Sequence, residues 1–203
     1  MRPTVPTCVL FVAVAGLLGA CSQKTPSTAA PPAVAPATAA VKTVAGVQDI
    51  MTYLVDPAAD FLWESVSTTE TAAGIEEKQP RTDEEWREVH KQAILLTEGA
   101  NLLLIDRHVA GEGRSLEDHG TPGNLTAAES EEAIRKDKQT FVAFALALRD
   151  VGEAFVAAAD KRDPKAIIDA GDTMDQVCEG CHLKFWYPGQ KIPAFPDQAP
   201  EDR

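Results

Sequence analysis

Apolar residues recur at three- and four-residue steps in four stretches of the chain, separated by polar or Pro- and Gly-containing segments. This spacing places apolar side chains on one face of an α-helix. The pattern predicts helices over residues 44–66, 82–105, 126–159 and 163–187. We find no evident strand, and the abundance of Ala with only 6% aromatic residues also favours closely packed helices.

Start and stop signals agree with these helix limits. Residues 82–85 and 126–129 each form a Thr-x-x-Glu capping box, and 163–164 is an Asp cap followed by an N1 proline. The Asp-Pro pair at 56–57 predicts a kink or a restart inside the first helix. The Gly- and Pro-containing stretch 111–125 predicts a long loop.

The N-terminus has the features of an export signal. A basic start is followed by an apolar run, residues 8–20, that is too short to span a bilayer. The run ends in Leu-Gly-Ala-Cys at 18–21, which resembles the lipobox of bacterial lipoproteins and implies lipidation of Cys21. The alternatives are a secretory signal cleaved after Ala20 or a simple membrane anchor. Because Ser22 is not acidic, the lipoprotein resemblance implies the outer membrane, with the protein on its periplasmic side.

The remaining chain divides into three parts. Residues 21–43, rich in Ala, Pro, Thr and Ser, predict a disordered tether behind a signal peptide of residues 1–20. We expect one folded domain over 44–187 and a Pro-rich tail over 188–203. A net charge of −12 argues against a nucleic-acid partner. The acidity either keeps the protein soluble or steers a basic partner protein.

Two cysteines remain in the predicted folded domain. Cys178 and Cys181 are two residues apart and are followed at once by His182. Cys-x-x-Cys-His is the attachment signature of c-type haem, in which two thiols bond the haem vinyl groups and the adjacent imidazole ligates the iron. We therefore predict one covalent haem c, with His182 as its axial metal ligand.

Three other uses of the cysteine pair are open. A thioredoxin-like redox pair would open a helix in a βαβ context, whereas this pair closes one. A zinc site would need a further ligand, and the remaining histidines lack ligand spacing. A disulfide is the third use, because exported proteins often contain disulfides. The other histidines are His90, His108 and His119.

A haem motif on the last helix of four resembles the class II cytochromes c, the cytochrome c′ and c556 group. The resemblance implies an all-α, antiparallel four-helix bundle whose C-terminal helix attaches the haem, and a homodimer. At residue level it comprises 178–182 and the aromatic Phe185. Trp186 stands where family members often carry a basic residue, and Lys184 partly substitutes for that residue.

The resemblance leaves the sixth iron ligand to be assigned. In c556-like members a Met on the first helix ligates the iron, and Met51 occupies that region. Met174 shares a rigid helix with His182, so it cannot reach the opposite haem face. Met51 is either the ligand or a core residue, and His90 is a weaker candidate for a bis-His site. Three tryptophans either shield the porphyrin or only pack in the core: Trp63, Trp86 and Trp186.

The function hypotheses follow from the iron coordination. With Met51 bound, the protein is an electron carrier whose redox partner the sequence does not identify. Without Met51 on the iron, the resemblance implies a five-coordinate protein that binds NO or CO. A non-haem interaction lipoprotein with a disulfide is the third hypothesis. We expect no enzyme, because the chain has no nucleophile motif, phosphate loop or paired catalytic carboxylates.

Overall fold

A computed structural model describes residues 41–190. The predicted signal peptide, Cys21, most of the tether and most of the tail lie outside the described residues. The helices are α1 (Val47–Ile50), a π-helical turn (Met51–Val55), α2 (Asp56–Ser65), α3 (Asp83–Leu103), α4 (Ala127–Lys136), α5 (Lys138–Lys161) and α6 (Pro164–Phe185). The strands are β1 (Ser67–Thr71) and β2 (Gly74–Lys78).

The prediction of an all-α antiparallel four-helix bundle is wrong. The protein is mostly helical, but β1 and β2 form an antiparallel hairpin in which Ser67 pairs with Lys78. The structure also has more helical segments than the four that were predicted, because the first and third predicted helices are each divided. The hairpin escaped the sequence pattern because it is exposed on both faces and so shows no apolar alternation. Its turn depends on Gly74, whose φ of 127° other residues rarely adopt.

The predicted restart inside the first helix is confirmed at the proline, since a new α-helix, α2, begins at Asp56, although its N-cap position is Val55 and a π turn precedes it. The chain stays helical through a π turn, where the Asp56 N–H bonds the Met51 carbonyl. Pro57 then lies in the first turn of α2, where a missing N–H costs little. The wider turn advances α2 relative to α1, so the residues around Met51 do not follow a regular 3.6-residue period.

The third predicted helix is divided at Asp137, which has φ −130° and ψ 54°. The Asp137 N–H donates to the Ala133 carbonyl at 3.1 Å, which is the last hydrogen bond of α4. The Asp137 carboxylate accepts from the Thr140 N–H at 3.2 Å and so caps the start of α5. Asp side chains compete with helical hydrogen bonding in this way. The capping boxes at Thr82 and Thr126 and the Asp163 cap are confirmed.

The core lies between α2, α3, α5 and α6. Its largest side chains with less than 2% exposure are Phe155, Ile50, Leu62, Leu96, Ile167, Met174 and Val89. The apolar stripes predicted for these helices account for this core. Packing of α6 against α5 and α2 places the end of α6 beside the π turn.

Residues 104–126 form the predicted long connection, and it is tied down along its length. The Arg107 guanidinium donates to the carbonyls of Leu102, Ile105 and Ala45 at 2.6–3.1 Å. Arg114 donates to both carboxylate oxygens of Asp49 at 2.6 and 2.8 Å. The connection is therefore joined to α1 and to the end of α3.

The same connection also holds the chain beyond α6. The Leu125 N–H donates to the Trp186 carbonyl at 2.7 Å, and the Gly189 N–H to the Gly123 carbonyl at 3.2 Å. Gly123 has a φ of 94°, and a Cβ there would lie 2.9 Å from the Gly189 backbone. A glycine is required for this close approach.

Candidate functional site

The Cys-x-x-Cys-His residues lie in the last two turns of α6. Asp163 starts this helix by accepting from the Ala166 N–H at 3.1 Å. It ends where the N–H groups of Trp186 and Tyr187 both bond the His182 carbonyl at 2.9 Å. The helix therefore presents the two thiols and the imidazole as one rigid group.

A cavity of about 320 Å³ brings these residues together with Met51. Cys178, Cys181 and His182 line it from α6, and Met51 lines it from the π turn. A second cavity of about 110 Å³ shares Met51, Cys181 and His182 with the first. The cavity walls are mainly apolar, including Val55, Ala59, Leu103, Phe141, Phe144, Ala145, Leu148 and Val177.

Aromatic rings surround the imidazole end of the site. The His182 ring lies edge-on to Trp186 with centroids 4.8 Å apart, and Phe141 lies edge-on to Phe185 at 5.6 Å. Trp186 is itself held by its Nε1–H, which donates to Asp118 at 3.2 Å. The histidine is thus oriented by packing as well as by its helix.

Two of the three tryptophans contribute to the site. Trp63 lines the cavity and donates through Nε1 to the Gly171 carbonyl at 3.3 Å, and Trp186 lines both cavities. Trp86 is a buried core residue and is not part of the lining. Trp63 and Trp186 therefore fit the shielding alternative, and Trp86 fits the packing one.

Burial keeps both thiols protonated. It raises the pKa of Cys178 to about 11, with a further contribution from the carboxylates of Asp175 and Asp56. Burial also raises the pKa of Cys181 to about 12, with a contribution from Cys178. Redox-active pairs instead have lowered pKa values, commonly at a helix N-terminus. The position of this pair at a helix C-terminus and its apolar surroundings both disfavour the thiolate.

The imidazole is kept neutral by the same burial. Burial lowers the pKa of His182, opposed by the nearby carboxylates of Glu179 and Asp56. A neutral imidazole is the form that ligates a metal. Beside it, the Tyr187 hydroxyl donates to Glu179 at 2.6 Å. Burial and that carboxylate raise the pKa of Tyr187.

The charged side chains that line the larger cavity all carry the same sign. They are Asp56, Glu117, Asp175 and Glu179, and no Lys or Arg among the described residues lines it. We call these four residues the acidic rim. Negative charges around an apolar cavity favour a bound group of higher positive charge.

The other residues considered from the sequence lie elsewhere. Met174 is fully buried and is absent from the lining. The side chain of His90 is 3.4 Å from Asp160 and does not line the cavity, which removes support for a bis-His site. His108 and His119 are exposed, and His108 contacts Glu131 at 3.0 Å.

Sequence reasoning missed the acidic rim and the apolar wall supplied by α5. Glu117 lies in the long connection, and the sequence distinguishes Asp56 only as the residue before the proline at 57. The Phe144 and Leu148 side chains belong to the apolar periodicity of 126–159, but that pattern does not distinguish a cavity wall from a packed core.

Within residues 41–190, no group of three or more His, Cys, Asp or Glu side chains is arranged to hold a metal ion. A haem iron takes most of its ligands from the porphyrin, so this finding does not test haem binding. In the same part of the chain, no helix has the length and apolar character needed to cross a membrane.

Comparisons with models of known protein families, with curated proteins and with solved structures find no match to this chain.

Proposed function

We propose that this protein is a monohaem c-type cytochrome that carries electrons. The observation that supports this most is the shared cavity. The two thiols and the imidazole of the motif at 178–182 line one largely apolar space together with Met51, which comes from a distant part of the sequence. The resemblance to class II cytochromes c remains a proposal based on the motif and its place on the last helix.

The residues present fit a covalent haem. Cys178 and Cys181 would hold it through thioether bonds, and His182 would ligate its iron. When bound, haem supplies a one-electron couple. The aromatic and aliphatic walls would shield the bound group from water on their side, and the packing of Trp186 orients the imidazole.

Met51 is our proposed sixth ligand. It lines the same cavity as His182 but belongs to a different element, so α6 does not prevent it from approaching the iron from another side. Its place at the start of the π turn supports this role, since π turns often occur at functional sites. Failure of Met51 to bind would make the five-coordinate, NO- or CO-binding function the better hypothesis.

We also propose that the acidic rim selects the redox partner. Four carboxylates at an open cavity attract a protein with a basic surface and speed its encounter at low salt. The same charges stabilise ferric over ferrous iron. Electron transfer to a basic partner should therefore slow as the salt concentration rises.

The proposed location is the periplasmic side of a bacterial membrane, with a lipid on Cys21. Support comes from the sequence of residues 1–21 alone. Incorporation of radiolabelled palmitate into the wild-type chain, and its loss in Cys21→Ser, would support it. Equal labelling of both chains would reject it.

The test of haem binding is an absorption spectrum of the protein expressed with a cytochrome c maturation system. We expect α and β bands in the reduced protein, with haem that remains attached after denaturation. Cys178→Ala/Cys181→Ala should lose the covalent haem, whereas the buried-serine control Ser65→Ala should keep it. Absence of covalent haem from the wild type would reject the proposal.

The coordination test compares two methionines. Met51→Ala should convert a low-spin spectrum to a high-spin one and allow the reduced protein to bind CO. Met174→Ala, on a buried residue that does not line the cavity, should leave the spectrum low-spin. A wild type that is high-spin and binds CO readily at neutral pH would reject Met51 ligation.

A further inference from the structure

The short helix that leads into Met51 is held along its first turn by the long connection, residues 104–126. This helix, α1, has only four residues, Val47–Ile50, and continues directly into the π turn. The first turn of a helix is unfavourable by itself, because several residues are fixed for one hydrogen bond. The contacts that hold α1 from outside therefore decide where it lies.

Two backbone hydrogen bonds join the connection to the start of α1. The Val47 N–H donates to the His108 carbonyl at 2.9 Å. The Gln48 N–H donates to the Val109 carbonyl, also at 2.9 Å. The N–H groups of a first turn have no partner in their own helix, so these carbonyls satisfy them as a cap would. The Met51 N–H in turn donates to the carbonyls of Val47 and Gln48, which links the connection to the Met51 backbone.

Side-chain contacts reinforce this backbone link. Arg114 donates to the two carboxylate oxygens of Asp49 at 2.8 and 2.6 Å. The Asp49 side chain is only 13% exposed, so solvent screens this ion pair less than one on the open surface. The Glu117 N–H donates to the Gln48 side-chain oxygen at 3.1 Å. We call the four residues of the connection that hold α1 the α1 clamp: His108, Val109, Arg114 and Glu117.

The α1 clamp also requires a glycine at residue 46, immediately before α1. A Cβ on Gly46 would lie 2.9 Å from the Val109 carbonyl oxygen and 3.2 Å from the His108 carbonyl oxygen. These are the two oxygens that accept from α1, and backbone atoms cannot turn aside as the end of a flexible side chain can. A methyl group at residue 46 would therefore push the connection away from α1.

We propose that the α1 clamp positions Met51 at the cavity, which makes Asp49 and Arg114 positioning residues for the proposed sixth iron ligand. Met51 and the clamp residue Glu117 both line the two cavities, so the clamp extends to the space that Met51 borders. A group that is already held in place binds with a smaller ordering cost. The effect on the iron rests on the proposed function, whereas the position of Met51 does not.

The first test follows the methionine methyl groups of the full-length protein as purified, with or without haem. After labelling with carbon-13 methyl methionine, the resonances are assigned by Met51→Leu and Met174→Leu. Gly46→Ala and Asp49→Asn should each broaden or divide the Met51 resonance. The resonance of Met174, which is fully buried in the core, should keep its position and width.

Two outcomes of this measurement would overturn the inference. One is an unchanged Met51 resonance in both Gly46→Ala and Asp49→Asn. The other is an equal change at Met51 and Met174, which would indicate a general loss of packing. Because the readout does not need haem, a chain without covalent haem would reject the proposed function while the Met51 resonance still decides this inference.

The second test measures iron coordination in the haem-loaded protein. Asp49→Asn should raise the ratio of five- to six-coordinate iron about fivefold, the upper range for an ion pair with one half-exposed partner. The rate of CO binding to the reduced protein should rise by the same factor, since only the five-coordinate form binds CO. Arg114→Gln should match Asp49→Asn, and the double variant should not exceed either single variant, because both residues act through one ion pair.

The matched control is Asp83→Asn, which breaks the 2.8 Å ion pair of Asp83 with Arg162 at the start of α3. The 21 residues of α3 place Asp83 about 30 Å from Leu103, the α3 residue that lines the cavity. This variant should keep the wild-type coordination and CO-binding rate.

Wild-type CO-binding rates in both Asp49→Asn and Gly46→Ala would contradict the positioning role, as would an equal acceleration in Asp83→Asn. A wild type that is already five-coordinate would reject Met51 ligation, and the Met51 methyl resonance would then decide whether the α1 clamp positions this residue.

Discussion

The contact between α3 and α5 and the end of α6 are built in opposite ways. Gly152 lets α5 approach α3 so closely that a Cβ there would lie 3.0 Å from the Thr97 backbone. Gly99 similarly admits Val55, whose Cγ2 would be 2.8 Å from an added Cβ. At the end of α6, by contrast, large side chains surround a cavity of about 320 Å³.

The difference shows where this fold obtains its stability and where it keeps space. Helices joined by small residues gain dispersion contacts over a long interface. Side chains that line a cavity lack such contacts on the side that faces it. A bound group is what would supply those contacts. The cysteine pair lines the cavity at the end of α6, where the proposed haem would supply the missing contacts.

The largest expected effect comes from a matched pair of leucines. Leu96→Ala should cost about 3–5 kcal/mol, since Leu96 is fully buried on α3. Leu148→Ala in haem-free protein should cost only about 2 kcal/mol, because Leu148 already borders the cavity. Urea denaturation of both variants measures this. Equal costs in haem-free protein would contradict the comparison, whereas haem loading should bring the two costs together.

A pair of glycines tests the same contrast by adding volume. Gly152→Ala should cost about 1–3 kcal/mol, because the new methyl meets the Thr97 backbone, which cannot move alone. Gly180→Ala should change stability by less than about 1 kcal/mol, since its neighbour is the ring end of Phe144, which can shift toward the cavity. Thermal unfolding of the two variants compares them. A larger loss for Gly180→Ala would mean that the cavity wall is rigid.

The smallest expected effect concerns acid sensitivity where the long connection meets α1, outside both regions compared above. The hydrogen bond from Arg114, with a second from the Gly46 N–H, lowers the pKa of Asp49. A lowered carboxyl pKa stabilises the fold above the unfolded-state value of about 3.9, and this contribution disappears as the pH falls through the folded-state pKa. Asp49→Asn should melt lower than wild type at pH 7 and approach it as the pH falls through the lowered folded-state pKa of Asp49.

Melting temperatures measured from pH 7 to pH 2 give the readout. Asp172→Asn, at an exposed position on α6, serves as the control and should run parallel to wild type. A constant gap between Asp49→Asn and wild type at every pH would show that the ion pair with Arg114 does not produce the acid sensitivity.

Local sequence signals predicted where helices begin, but they did not predict that the third helix is interrupted. Thr82, Thr126 and Asp163 cap as expected because a cap depends on neighbours within four residues. The break at Asp137 was missed because it also involves Lys184 of α6, whose Nζ lies 2.5 Å from the Asp137 carboxylate. The apolar stripe of 126–159 continues across the break, so periodicity alone could not reveal it.

Some residues of the candidate site could likewise be predicted from a local motif, whereas others could not. The cysteine pair and His182 were identified from five consecutive residues, since a chemical motif is local. Placing Met51 on the same cavity depends on α6 packing beside the π turn, which no local signal encodes. The acidic rim likewise combines α2, α6 and the long connection.

By itself, the sequence determined which segments are helical, where three of them begin, and which residues would carry the proposed thioether and imidazole chemistry. These properties depend on neighbouring residues, because helix capping and motif geometry act within a turn or two. Only the tertiary structure decided the hairpin, the π turn, the break at Asp137 and the cavity shared by His182 and Met51. Those features arise from contacts between segments far apart in the chain, and their energies depend on how the helices pack.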